Sequence, residues 1–84
     1  MNIDKEEITG TLTVTVKKNS FADDKEIRDI FWPVGTFILS VKRQAEVHGH
    51  GAHGLSEGDI LQIRYTTYDE KQMMEEIENI VGKQ

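Results

Sequence analysis

Residues 55–68, reading Leu-Ser-Glu-Gly-Asp-Ile-Leu-Gln-Ile-Arg-Tyr-Thr-Thr-Tyr, decide how the chain folds. They open as a turn, because Gly58 supplies a positive φ and Asp59 bonds backbone nearby. A strand follows, with Leu61, Ile63 and Tyr65 on one face and Gln62, Arg64 and Thr66 on the other. One face therefore meets a core, and the other meets water or a partner. Strands upstream must come to pair with this one, and a helix downstream can cover it. Composition and spacing by themselves specify a small α+β domain.

Working outward, Leu12, Val14 and Val16 alternate with Thr11, Thr13 and Thr15, which is a strand beginning at Ile8 and ended by Lys17-Lys18-Asn19. Residues 20–24 offer oxygen caps, and Ile27, Ile30 and Phe31 follow at helical spacing. This short helix must stop before Pro33, which disfavours helical angles at Trp32. Gly35 opens a second strand over 36–42, with Phe37, Leu39 and Val41 to one side and Ile38, Ser40 and Lys42 to the other. Residues 44–54 hold three glycines and three histidines, read as a short strand near 45–48 and a loop through Gly54. Asp69 caps a last helix, with Gln72 three residues on and Glu70 in the positive first turn. Met73, Ile77 and Ile80, broadened by Met74 and Val81, form its apolar stripe, and Gly82 ends it.

The predicted order is β-α-β-β-β-α, with about four mainly antiparallel strands and two helices. Residues 1–9 read as a linker or disordered N-terminus and 10–84 as the domain. Leu39, Leu61, Ile63, Ile77 and Ile80 are the predicted core.

An 84-residue chain makes one domain, and a core of that size supplies only about 3–5 kcal/mol before some staple is added. Disulfides are excluded because there is no cysteine, so oligomerisation is the natural staple. The lack of cysteine also fits a reducing cytoplasm. A formal charge of −5 and a pI near 5.1 argue against a nucleic-acid polymer as partner, which wants a basic stripe. No apolar run approaches the ~20 residues needed to cross a bilayer, and no signal-peptide core is present. The chain reads as soluble and not itself inserted, and equally as the soluble end of a longer membrane protein.

Candidate chemistry is sparse. His48, His50 and His53 are the residue type that closes a zinc or nickel shell, but no acid or thiol joins them in the loop and glycine spacers leave them unheld. Histidine-glycine loops are also ordinary turns, and no metal is assigned. The carboxylates at Asp23, Asp24, Glu57, Asp59, Glu75 and Glu76 suit caps and a solvated helix face. With no nucleophile elbow, no cysteine and no phosphate loop, an enzyme is not expected. Met73-Met74 reads as core filler, and Trp32 as a core plug or an exposed anchor. Arg43 beside Lys42 would either pair with a carboxylate or meet an anionic ligand with both arms of its fork.

The strand ending Ser40-Val41-Lys42-Arg43, a gap, and then Leu55-Ser-Glu-Gly58-Asp59-Ile-Leu61 together resemble the RCK C-terminal domain, also called TrkA-C. Its marks are a strand ending in a basic residue and a later L-x-x-G-D-x-L segment. Phe21-Ala-Asp-Asp24-Lys-Glu-Ile27-Arg-Asp-Ile30 is similar to the family's helix entry, although the family usually has glycine where this chain has Asp24. A family glycine near Gln44 and a proline of the hairpin are also absent. Phe31-Trp32-Pro33 through Phe37-Ile38-Leu39-Ser40 looks most like the cytoplasmic C-terminal domain of bacterial ClC-type chloride channels and antiporters.

The resemblance implies a homodimer that regulates a membrane-embedded transport domain from the cytoplasmic side and binds a small ligand between two copies. Some members bind cyclic di-AMP. Carried over by position, the ligand-binding residues would be Phe37, Ile38, Arg43, His48, Gly49 and His50. No other cofactor is implied. Two alternatives stand beside this: a purely structural dimerisation module, and a metal-sensing module using His48, His50 and His53.

Overall fold

In a computed structural model of the chain, residues 6–43, 46–49 and 54–84 are described, with 46–49 described through the backbone alone. The fold is a small α+β domain. Its strands are β1 (Ile8–Thr15), β2 (Thr36–Arg43), β3 (Glu46–Gly49) and β4 (Ile60–Thr67), followed by a helix, α1 (Glu70–Val81). They form one antiparallel sheet in the order β1-β4-β2-β3. β4, the strand of the opening stretch, is central, paired with β1 from Ile8↔Thr67 to Thr15↔Ile60 and with β2 on its other side. β1 begins at Ile8, ahead of the domain start expected at residue 10.

The alternation in β4 is as its residues dictate. Leu61 and Ile63 are fully buried, while Ile60, Gln62 and Arg64 face out. Val14 opposite Leu61 and Leu12 opposite Ile63 continue this buried face across β1. α1 lies on it through Met73, Ile77 and Val81, one residue per turn. Asp69 caps the helix, its carboxylate accepting from the Gln72 N–H at 3.1 Å. At the far end Gly82, at φ +98°, donates its N–H to the Glu78 carbonyl. Ile80, expected in the core, is only half-buried at the edge of the stripe.

Two further expectations are corrected. The first helix is not an α-helix: a single 3-10 turn (Ile27–Asp29) stands in its place, among other turns. Spacing of i, i+3 buries Ile27 and Ile30 in a 3-10 turn as well as in an α-helix, so the pattern alone does not choose. Long-range bonds choose. Ala22 N–H donates to the Ile80 carbonyl, Asp24 N–H to the Leu55 carbonyl, and Leu55 N–H to the Lys25 carbonyl. Backbone tied to α1 and to the 54–55 segment is not available for its own helix. Phe31, placed on the helical stripe, is 98% exposed. Trp32 is half-buried against the core, and its ring N–H donates to the Ile27 carbonyl at 3.2 Å, which favours the plug over the anchor.

The second correction is Leu39, expected in the core and found 38% exposed. Ile38 pairs with Ile63 and Ser40 with Gln62, so Leu39 is an extra residue, a β-bulge. The bulge resets the period. Ile38 and Val41, three apart, both turn inward, although simple alternation placed them on opposite faces.

Candidate functional site

β2 ends at Arg43 and β4 begins at Ile60, and the two neighbouring chain ends are joined by side chains. Arg43 Nε donates to Asp59 Oδ1 at 2.8 Å, and Nη2 donates to Asp59 Oδ2 at 2.6 Å. Nη2 also donates to the Gly54 carbonyl at 2.8 Å. Asp59 Oδ2 additionally accepts the Ser56 N–H at 2.8 Å, and the Asp59 N–H donates to the Ser56 carbonyl. The carboxylate is 1% exposed, whereas the guanidinium side chain is 38% exposed. The hydrogen bond to Asp59 holds Arg43 more firmly protonated than an ordinary arginine.

The sequence builds this clasp simply. Asp59 has the parity of Leu61 and Ile63, so the strand turns it toward the core, where a charged group needs a partner and further donors. Gly58 at φ +90° makes the turn that brings Ser56 back over the carboxylate. Leu55 and Leu61 on either side are buried. A shallow depression of about 370 Å³ is lined by Arg43, Ser56, Glu57, Gly58 and Asp59.

Asp59, expected from the sequence as a turn and capping carboxylate, is the partner of Arg43. Its parity with the buried face was the signal that would have found it.

Of the six residues carried over as ligand contacts, five lie within the described residues, on β2 and β3. Phe37 lies on the open sheet face and Ile38 in the core, as neighbours in a strand must. Arg43 is on the core side at the far end of the same strand, in the clasp. His48 and Gly49 are in β3, opposite Val41 and Ser40 respectively. His50 lies outside the described residues, and so does His53, leaving most of the histidine loop beyond description.

A larger groove of about 630 Å³ runs between the 33–35 turn, the end of β4 and the first turns of α1. Val34, Thr66, Tyr68, Gln72 and Met73 help to line it, and none of Phe37, Ile38 or Arg43 does. Close by, the Tyr65 hydroxyl donates to Glu70 Oε2 at 2.6 Å, a bond that raises the phenol pKa above its ordinary 10.0. Gly10, opposite Tyr65 on β1, has no side chain because that ring occupies the place a Cβ would need.

No described helix is long and apolar enough to cross a membrane. Compared with known proteins, the chain matches no family model and no curated protein.

Proposed function

We propose that the chain is a non-catalytic regulatory domain of the RCK C-terminal kind, working as a homodimer on the cytoplasmic side of a chloride channel or transporter. The Arg43–Asp59 clasp carries this reading. Two of the pieces of sequence that carry the resemblance are a strand ending in a basic residue and an L-x-x-G-D-x-L segment. In this fold each supplies half of one charge-paired joint. Asp24 adds a second support. It takes up φ +74°, a conformation native to glycine, where the resembled family usually has glycine. Aspartate here therefore stands on a backbone conformation that glycine adopts without strain.

A small ligand held between two copies, with cyclic di-AMP as the probe, belongs to the same proposal. The pairing module that binds no ligand is the second reading, and one observation favours it. Arg43 Nε and Nη2 are already engaged by Asp59 and Gly54, so a phosphate would have to compete with a buried carboxylate for them. A thermal-shift titration with cyclic di-AMP separates the two readings. A rise in melting temperature supports the sensor. An unchanged value at millimolar ligand sinks the ligand and leaves the pairing module.

A further inference from the structure

β1 is an edge of the sheet, and its hydrogen-bonding parity can be read from its ends. The Val16 N–H donates to the Asp59 carbonyl and the Val16 carbonyl accepts from Gly58, so residue 16 faces β4. Thr15 faces the opposite way. Its N–H donates to Gln84 Oε1 at 2.7 Å and its carbonyl accepts from Gln84 Nε2 at 2.9 Å. By alternation, Thr9, Thr11 and Thr13 also aim their N–H and C=O groups away from β4. Among the described residues nothing bonds those groups on that side.

Exposed edges are ordinarily blunted by lysine, proline or a bulge. The run Ile-Thr-Gly-Thr-Leu-Thr-Val-Thr of β1 has no charge, no proline and an unbroken register with β4. The edge also accepts a partner amide where one is offered. At Thr15 the Gln84 side chain takes both backbone bonds, as the next strand would, and closes the ladder there.

We infer that the edge of β1 pairs antiparallel with β1 of a second copy, on a two-fold axis through Thr11, making one continuous sheet across the dimer. Thr11 faces Thr11, and Thr9 faces Thr13 in both directions, so three hydrogen-bonded pairs use all the outward groups between Ile8 and the Gln84 closure. On the open face the meeting side chains are threonines, a favourable cross-strand pair. On the core face Gly10 of one copy faces Leu12 of the other, small against large.

Charge selects the direction. Glu6 and Glu7 precede the strand and Lys17 and Lys18 follow it, all exposed. Antiparallel docking sets the acidic entry of one copy beside the basic exit of the other, whereas parallel docking sets like beside like. The inference names the surface of the homodimer proposed above and rests on that reading.

The absence of cysteine makes the register directly testable. In a hydrogen-bonded antiparallel pair the Cα atoms lie about 5.5 Å apart, within disulfide reach. Thr11→Cys should therefore cross-link to itself under mild oxidation. Thr9→Cys and Thr13→Cys should link when mixed and fail alone, because like positions are then about 14 Å apart along the strands. Thr11→Pro removes an outward N–H that β4 does not use, and should weaken the dimer at least about thirtyfold, with the monomer still folded by circular dichroism. Thr11→Lys, which opposes two charges across the axis on a solvated face, should weaken it too and serves where the proline variant misfolds. A parent that dimerises, with both variants still dimeric and no cross-link at Thr11, overturns the edge while leaving the homodimer standing. A parent that stays monomeric at millimolar concentration overturns both.

Discussion

Arg43 and Asp59 meet through two parallel hydrogen bonds, Nε to Oδ1 at 2.8 Å and Nη2 to Oδ2 at 2.6 Å, one residue buried and the other at the surface. The asymmetry in exposure decides what each half is worth. Arg43→Ala leaves an uncompensated carboxylate in the interior and should cost about 3–5 kcal/mol. Asp59→Asn leaves a guanidinium that is already part-solvated, keeps an acceptor for Ser56, and should cost less, about 1–3 kcal/mol. Urea unfolding of the two variants checks the order. Equal losses would mean that the clasp is solvated throughout.

A second pair gives a pH signature. The bond to Glu70 raises the Tyr65 pKa, so it favours the protonated phenol of the folded state. Its stabilisation is fully present below the ordinary tyrosine value of 10.0 and is lost as pH rises through the higher folded value. Ultraviolet titration should find one tyrosine ionising above the usual range, and Tyr65→Phe should remove it. The same variant should flatten the alkaline loss of stability relative to the parent.

Backbone shape at Asp24 predicts an unusual gain. At φ +74° an L-residue is strained, and aspartate tolerates it better than most. Asp24→Gly should match the parent or exceed it by up to about 1 kcal/mol, while Asp24→Val should lose about 1–3 kcal/mol. Gly35, at φ +88°, is different in kind: a Cβ there would run into the Thr66 carbonyl, so Gly35→Ala should be worse than the strain alone. Thermal melts of the three variants test this ranking. A destabilised Asp24→Gly would contradict it.

The core prediction separates two leucines that look alike in the sequence. Leu61 is fully buried and Leu39 is not, because the bulge turns Leu39 out. Leu61→Ala, like Ile77→Ala, should cost about 2–5 kcal/mol, and Leu39→Ala about 1 kcal/mol or less. Chemical denaturation of the three variants measures the difference.

These residues also show what was legible beforehand. Strand β4 and helix α1 follow from local pattern: alternation about Ile63, a capping aspartate at 69, a glycine at 82. Leu39 and the 20–32 segment were misread for one shared reason. A bulge and a 3-10 turn are fixed by partners distant in sequence, Gln62 in one case and Leu55 and Ile80 in the other. The site divides similarly. Arg43 was singled out as a cation needing an anion, but its choice of Asp59 depends on two strand ends meeting. The opposite facing of Phe37 and Ile38 was already implied by strand geometry, so one shared cleft was a demand that the backbone could not meet with both.

The claim on which the rest depends is that the chain works as a pair. Sedimentation of the isolated chain across a micromolar concentration series tests it most directly, since the monomer mass is 9.6 kDa. A species of twice that mass, gaining in population with concentration, is the predicted result. A single folded species of 9.6 kDa at every concentration would contradict it.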